Sequence, residues 1–203
     1  KVGETPNSTT SLIDSISDAA AAAGEILYTT GSVLENLPPP PHNLLAVNAD
    51  RVGVVNSEDT TEFWPSKEYK AGTGIGFHDR MKIRVTGDNT GGMTALAAKD
   101  GRWILWKSSA VYVIGGDGPG DTGQGSFNPP QAVSLSVGCV SARSVVATPD
   151  GLMFQSAKGI YLLDRGLGLT YLGDKVEQYT LAGTVVDASL VQNTTQVRFV
   201  FAG

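Results

Sequence analysis

The 203-residue chain has one cysteine, Cys139, and two histidines, His42 and His78. A single thiol cannot build a disulfide framework or a CxxC zinc site. Charged residues make up only 17% and aromatics 7%. With apolar residues at 41%, the chain lacks the low hydrophobicity and high net charge that keep a polypeptide disordered. Fifteen Lys and Arg against 20 Asp and Glu leave a formal charge of -5, so no basic face for gripping phosphates is expected. No apolar run approaches the roughly 18 residues needed to span a bilayer as a helix. Lys1 is not an initiator methionine and no charged-then-apolar leader follows it, so no signal peptide is expected.

Glycine, in contrast, is abundant, at 25 residues against a usual share of roughly 7%, and there are 10 prolines. Many turns and short strands are therefore expected rather than long helices. Asp50-Arg51, Asp100-Gly101 and Asp150-Gly151 recur at a spacing of 50, and each separates two short runs of alternating apolar residues. Period-two alternation marks strands with at least one packed face. Asp-Gly favours the positive φ of a tight hairpin. The second unit runs from Met93 to Ile114 and the third from Arg143 to Asp164. Tyr112 falls close to the place of Tyr161 in the next unit.

Gln131–Val137 and Leu169–Gly173 are candidates for a fourth strand. A weaker first copy covers LLAVNAD and RVGVVNS, and a partial fourth begins near Ser189. Units of this kind cannot cover both faces alone and must stack on their neighbours. The expected fold is therefore all-β, a β-propeller or a segment of one, built from four-stranded repeats of about 50 residues. The chain divides into an N-terminal segment over 1–36, a proline strap over 37–43 (LPPPPHN) and blades over 44–203. Three units and part of another fall short of the usual blade count, so the sequence reads as a piece of a longer polypeptide. Thr10–Ala23 has helical apolar spacing, with Gly24 as a stop, but its serines and aspartates also fit an extended linker.

Chemistry is sparse. No GxSxG elbow accompanies the histidines. Cys139, between Val137 and Val140, reads as a small buried residue rather than a nucleophile. Gly115–Gly125 (GGDGPGDTGQG) lacks the Lys-Ser/Thr of a phosphate loop. Asp117 and Asp121 within it are calcium candidates, set against a loop whose glycines and aspartates simply form turns. Glu58, Asp59, Glu62, Glu68, Asp79 and Asp88 keep a propeller glycoside hydrolase open as a reading. Trp64, Trp103 and Trp106 are candidates for lining a sugar groove, set against Trp103 or Trp106 being core, since the two lie on opposite faces of one strand, and Trp64 and Tyr69 keep a glycan- or receptor-binding rim open. The sequons at Asn7 and Asn193 matter only in a secreted eukaryotic protein. No catalytic or cofactor-binding residue is assigned, and the chain is expected not to be an enzyme.

Three stretches together carry a resemblance: Gly24–Val52 (GEILYTTGSVLENLPPPPHNLLAVNADRV), Ser57–Tyr69 (SEDTTEFWPSKEY), and VYVIGGDGP followed by Val137–Arg165. They resemble the β-propeller tail hub or nozzle proteins of short-tailed bacteriophages. There a proline strap leads into an N-G-R-φ strand, here Ala49-Asp50-Arg51-Val52, and a Ser-Glu…Trp-Pro signature marks the first blade, here Ser57-Glu58 and Trp64-Pro65. This sequence departs from the family in having Asp50 where glycine is common and in its Ala19–Ala23 run. The resemblance implies a non-enzymatic virion component of the phage tail, without a cofactor. It further implies a homo-oligomeric ring of about six copies that meets portal or adaptor proteins and tail fibre or needle proteins. DNA would pass through its channel without specific binding, and the chain would not insert in a membrane. An acidic surface suits a conduit that must not hold the DNA it passes.

Overall fold

The computed structural model describes residues 17, 19, 20, 33–86, 91–191, 194 and 196–202. Most of the Thr10–Ala23 segment, Asp88 and both sequon asparagines lie outside these residues. The described chain is all-β, with helical backbone at residues 19 and 20, one further short helix, α1 (Glu177–Thr180), and three 3-10 turns.

Among the described residues, fourteen strands form three four-stranded antiparallel sheets and one two-stranded sheet. Sheet 1 holds β1 (His42–Asn48), β2 (Arg51–Asn56), β3 (Glu62–Pro65) and β4 (Ile83–Arg84). Sheet 2 holds β5 (Met93–Lys99), β6 (Arg102–Lys107), β7 (Val111–Ile114) and β8 (Gln131–Ser134). Sheet 3 holds β9 (Val146–Ala147), β10 (Gly151–Ser156), β11 (Gly159–Asp164) and β12 (Leu169–Tyr171). The last sheet pairs β13 (Val185–Leu190) with β14 (Val197–Phe201). It starts earlier than the Ser189 read from sequence, because Val185 already pairs with Phe201. The proline strap is likewise shorter than expected, since His42 and Asn43 belong to β1. Leu37 is held by an antiparallel bridge to Phe77.

The first hairpin of each full sheet closes on a two-residue turn, but not always on Asp-Gly. Lys99 pairs with Arg102 around Asp100-Gly101. Both turn residues have positive φ, 52° and 74°, as a type I′ turn requires. Asn48 pairs with Arg51 around Ala49-Asp50, and Ala49 rather than Asp50 takes the positive φ. In sheet 3, Thr148 and Gly151 exchange both backbone hydrogen bonds, so Pro149-Asp150 forms the turn and Gly151 opens β10.

Counting from these closing pairs aligns the sheets. Val54 faces Trp64, Leu105 faces Tyr112, and Phe154 faces Tyr161. An aromatic therefore sits at the same place in every third strand, preceded each time by an apolar residue. Directly opposed residues share a face, so each sheet has a leading face toward the sheet before it and a trailing face toward the sheet after it. Phe63 and Val55 on the trailing face of sheet 1 pack with Trp103, Leu105 and Tyr112 on the leading face of sheet 2. Ile104 and Trp106 on the trailing face of sheet 2 pack with Leu152, Phe154 and Leu163 of sheet 3.

Each joint centres on one tilted aromatic pair. Phe63 and Trp103 lie 5.1 Å apart, and Trp106 and Phe154 5.5 Å. Neither indole N–H has a hydrogen-bond partner among the described residues. Burying about 200 Å² of indole contributes roughly 5 kcal/mol, against a cost of about 1–3 kcal/mol for the unpaired donor, so the ring area wins. Gly53 makes the first joint possible, because a Cβ there would stand 2.7 Å from the Trp103 ring.

The joint to the last sheet is polar instead. The buried Gln155 amide donates to the carbonyls of Thr180 and Gly183 and accepts from the Val185 N–H. Ser141 donates to the Val185 carbonyl. Gln155 and Ser141 thus hold β13 through both backbone groups of Val185.

Gly151→Val tests the sheet 3 hairpin. A Cβ at Gly151 would stand 2.0 Å from the Leu163 carbonyl oxygen, and the backbone cannot yield without breaking the β10–β11 ladder. The expected loss is about 3 kcal/mol, a fall in Tm on the order of 10 °C by calorimetry. A variant melting within a degree of wild type would overturn this account of the hairpin.

Candidate functional site

Two polar clusters on sheet 1 gather most of the chemistry-bearing side chains. The first surrounds Glu62, which faces Asn56 across β2–β3 and Arg84 across β3–β4. Its buried carboxylate accepts from Asn56 Nδ2 at 3.2 Å and Trp64 Nε1 at 3.1 Å. It also accepts from Arg84 at 2.8 Å and lies 3.0 Å from Lys82 Nζ. Burial alone would raise its pKa, but the hydrogen bonds from Lys82, Arg84, Trp64 and Asn56 outweigh that and hold it at about 2. Lys82 also rides 5.5 Å above the Trp64 ring. Asp59 joins through Arg84 at 3.3 Å and is held below the usual range by hydrogen bonds from Thr61. A carboxylate with four donors has no free lone pair for activating water, so Glu62 acts here as a fastener.

The second cluster lies where the β1–β2 turn meets the Gly115–Gly125 loop. Arg51 is buried and donates to the carbonyls of Ser66 at 2.8 Å and Pro119 at 2.7 Å. Its guanidinium stacks over Phe127 at 5.6 Å. Burial lowers its pKa, while the charges of Glu68, Asp121 and Asp117 work against that shift. A cavity of about 310 Å³ beside it is lined by Asp50, Glu68, Asp117, Trp103 and loop glycines.

Here the two calcium candidates separate in role. Asp121 accepts a hydrogen bond from Lys70, which holds its carboxyl below the usual range, and its backbone carbonyl accepts from the Leu34 N–H. Asp117 is exposed at the cavity wall. Among the described residues no three His, Cys, Asp or Glu stand close enough together to hold a metal. The loop is pinned to sheet 1 by Arg51, Lys70 and the Leu34 backbone. Nothing in the sequence singles out Arg51 for this, since its neighbour Asp50 carries the turn signal and Arg is ordinarily exposed.

The remaining candidates are scattered. His42 Nδ1 lies 2.9 Å from the Pro40 carbonyl. His78 caps the 3-10 turn Asp79–Met81, its Nδ1 accepting from the Arg80 N–H. Cys139 is fully buried in the joint between sheets 2 and 3, where burial pushes its thiol pKa up and its Sγ donates to the Ser141 carbonyl. A desolvated, raised thiol is a poor nucleophile. Tyr69 is about half exposed, and its backbone N–H binds the Asp50 carbonyl, while Trp64 is partly covered beneath Lys82. Trp103 and Trp106 are core, on opposite faces of β6.

The chain matches no protein-family model, and none of the curated proteins is significantly similar to it.

The Glu62 cluster gives acid sensitivity a definite sign. A folded pKa of about 2 against an ordinary 4.5 means its contribution is complete above about pH 4.5 and is lost as pH falls toward 2. Urea midpoints measured from pH 6 to pH 2.5 should fall more steeply in the wild type than in Glu62→Gln. The variant should also be less stable at neutral pH by about 1–2 kcal/mol, the partly exposed Lys82 and Arg84 limiting the loss. Parallel pH profiles would show that the cluster does not couple to folding.

Proposed function

We propose that this chain is a structural, non-enzymatic component of a short-tailed bacteriophage tail, its sheets serving as blades of a β-propeller in the hub or nozzle. The observation that carries the reading is the serial face-to-face stacking of three like sheets, each joint holding one tilted aromatic pair: Phe63 on Trp103, then Trp106 on Phe154. Consecutive meanders joined face to face are what a propeller repeats around its axis. The first strands support the same arrangement, with β1 running beside β5, and β13 beside β9.

Leu45 and Val47 on the leading face of sheet 1 are 56% and 61% exposed. They occupy positions that a neighbouring sheet covers in sheet 2. They are where a further blade would seat. The phrases Gly24–Val52, Ser57–Tyr69 and Val137–Arg165 supply the phage resemblance. In this reading the protein assembles as a ring of about six copies between portal or adaptor and fibre or needle proteins. DNA passes along its channel without specific contacts, as the net charge of -5 favours. Committed carboxylates such as Glu62 and Asp121 favour a scaffold over a hydrolase.

The test is immunogold labelling of tailed particles from a culture carrying the gene, with antibody raised against this chain. Gold confined to the tail below the capsid is the expected result. Particles that stay unlabelled while the protein is detected free in the lysate would sink the proposal.

A further inference from the structure

In an Asp-Gly pair the backbone nitrogen is well placed to attack the side chain before it, because glycine has no Cβ to shield that nitrogen. The chain holds three such pairs, Asp100-Gly101, Asp117-Gly118 and Asp150-Gly151. All three aspartates are exposed, so access to water does not separate them. The groups that hold the reacting atoms do.

Two of the pairs are locked. Both Asp100 oxygens accept from Arg165, at 2.9 and 3.1 Å, and this bonding holds the carboxyl below the usual range. The Lys99–Arg102 pair closes the turn around it. At Asp150 the nitrogen is engaged instead, since the Gly151 N–H donates to the Thr148 carbonyl at 3.3 Å and to Thr148 Oγ1 at 3.2 Å. Gly151 is also buried as the first residue of β10. Asp117-Gly118 has neither lock. It lies in irregular backbone of the Gly115–Gly125 loop, and among the described residues the Asp117 carboxylate and the Gly118 N–H make no hydrogen bond. Asp117 and the Arg51 guanidinium meet through charge alone.

We propose that Asp117-Gly118 is a self-modification site, at which the folded chain converts its own backbone to an isoaspartyl linkage. The Gly118 nitrogen attacks Cγ of the neutral Asp117 carboxyl. An N–Cγ bond forms, the Cγ–OH bond breaks, and the hydroxyl leaves with the amide proton as water, giving a five-membered succinimide. Water then adds at the α-carbonyl of the ring and cleaves its bond to nitrogen. The main chain now runs through Cβ and Cγ, with a free carboxylate on Cα. Nothing is oxidised or reduced, and the water lost in the first step is regained in the second. The lengthened backbone enters directly ahead of Pro119, whose carbonyl accepts from Arg51 at 2.7 Å, and beside Gly118, which is packed so closely on Phe127 that a Cβ would stand 2.3 Å from its ring. The modification therefore loosens the glycine loop from sheet 1. It does so whatever the role of the protein in a virion.

The test is incubation of the full chain at 37 °C and pH 5.5, with samples digested over several weeks. Peptides are read by electron-transfer mass spectrometry, which separates isoaspartate from aspartate despite their equal mass. Isoaspartate should accumulate at 117 at least about tenfold faster than at 100 or 150, because the locked pairs must first open locally. In urea the three sites should react at similar rates. Arg165→Ala should raise the yield at 100 several-fold, and Asp117→Glu, which needs a larger ring, should abolish the signal at 117. In the isoaspartyl fraction, amide exchange should quicken at Gly120 and Gly123, whose N–H groups are bonded within the loop. Equal yields at the three sites of the folded protein would overturn the proposal, as would an unreactive 117 in a chain that reacts there in urea. The same preference for 117 in urea would overturn the account by locks, and unchanged exchange would overturn the loosening.

Discussion

Everything in this fold hangs on β6 being packed from both sides. Trp103 and Trp106 point in opposite directions from one six-residue strand, and each meets a phenylalanine of an adjoining sheet. A four-stranded meander that is apolar on both faces cannot cover either face by itself. Sheet 2 is stable because its neighbours cover both its faces, and sheets 1 and 3 are each held chiefly through it. The unpaired indole N–H groups follow from the same demand, since a partner for either would place a polar atom within the joint.

Charge plays a different part, fastening loops, turns and edges. Glu62 gathers Lys82 and Arg84 along the β3–β4 edge. Arg165 holds Asp100, tying the β11–β12 turn region to the first hairpin of sheet 2. Arg51 and Lys70 hold the long glycine loop against sheet 1. Glu62, Asp100 and Asp121 are engaged in this fastening, while Asp50, Glu68 and Asp117 line the cavity beside Arg51. The last sheet departs from this division, because Gln155, a neutral side chain, ties it on through three backbone partners.

Much of the strand layout was legible in the sequence because alternation is a local signal. Met93–Lys99, Arg102–Lys107 and Gly159–Asp164 fall where period-two patterning places them. The opposed faces of Trp103 and Trp106 follow from their separation along one strand. The turns were less legible. Asp50, Asp100 and Asp150 mark all three hairpins, yet only the middle one places Asp-Gly at its centre, because the register of the flanking pairs decides which two residues bend. Gly151 matters for the Leu163 carbonyl beside it, a contact between strands that local pattern cannot reveal. The anchoring bonds of Arg51 and Gln155 could not be read for the same reason, since their partners Pro119, Thr180 and Val185 lie far along the chain. For Asp117 and Asp121 the loop composition was informative, but the salt link to Lys70 depends on how sheets 1 and 2 meet.

Stacking with nearest-neighbour contacts alone gives the molecule a graded resistance to opening. A sheet at the end of such a row loses one joint when it detaches, whereas sheet 2 must lose two, so local opening costs most at its centre. Protection of backbone amides should therefore peak along β6 and decline outward, reaching its lowest value at the polar joint that Gln155 and Ser141 make to β13. The protein then behaves less like one block than like a short spring of coupled plates, stiffest in the middle and most yielding at the β13–β14 end.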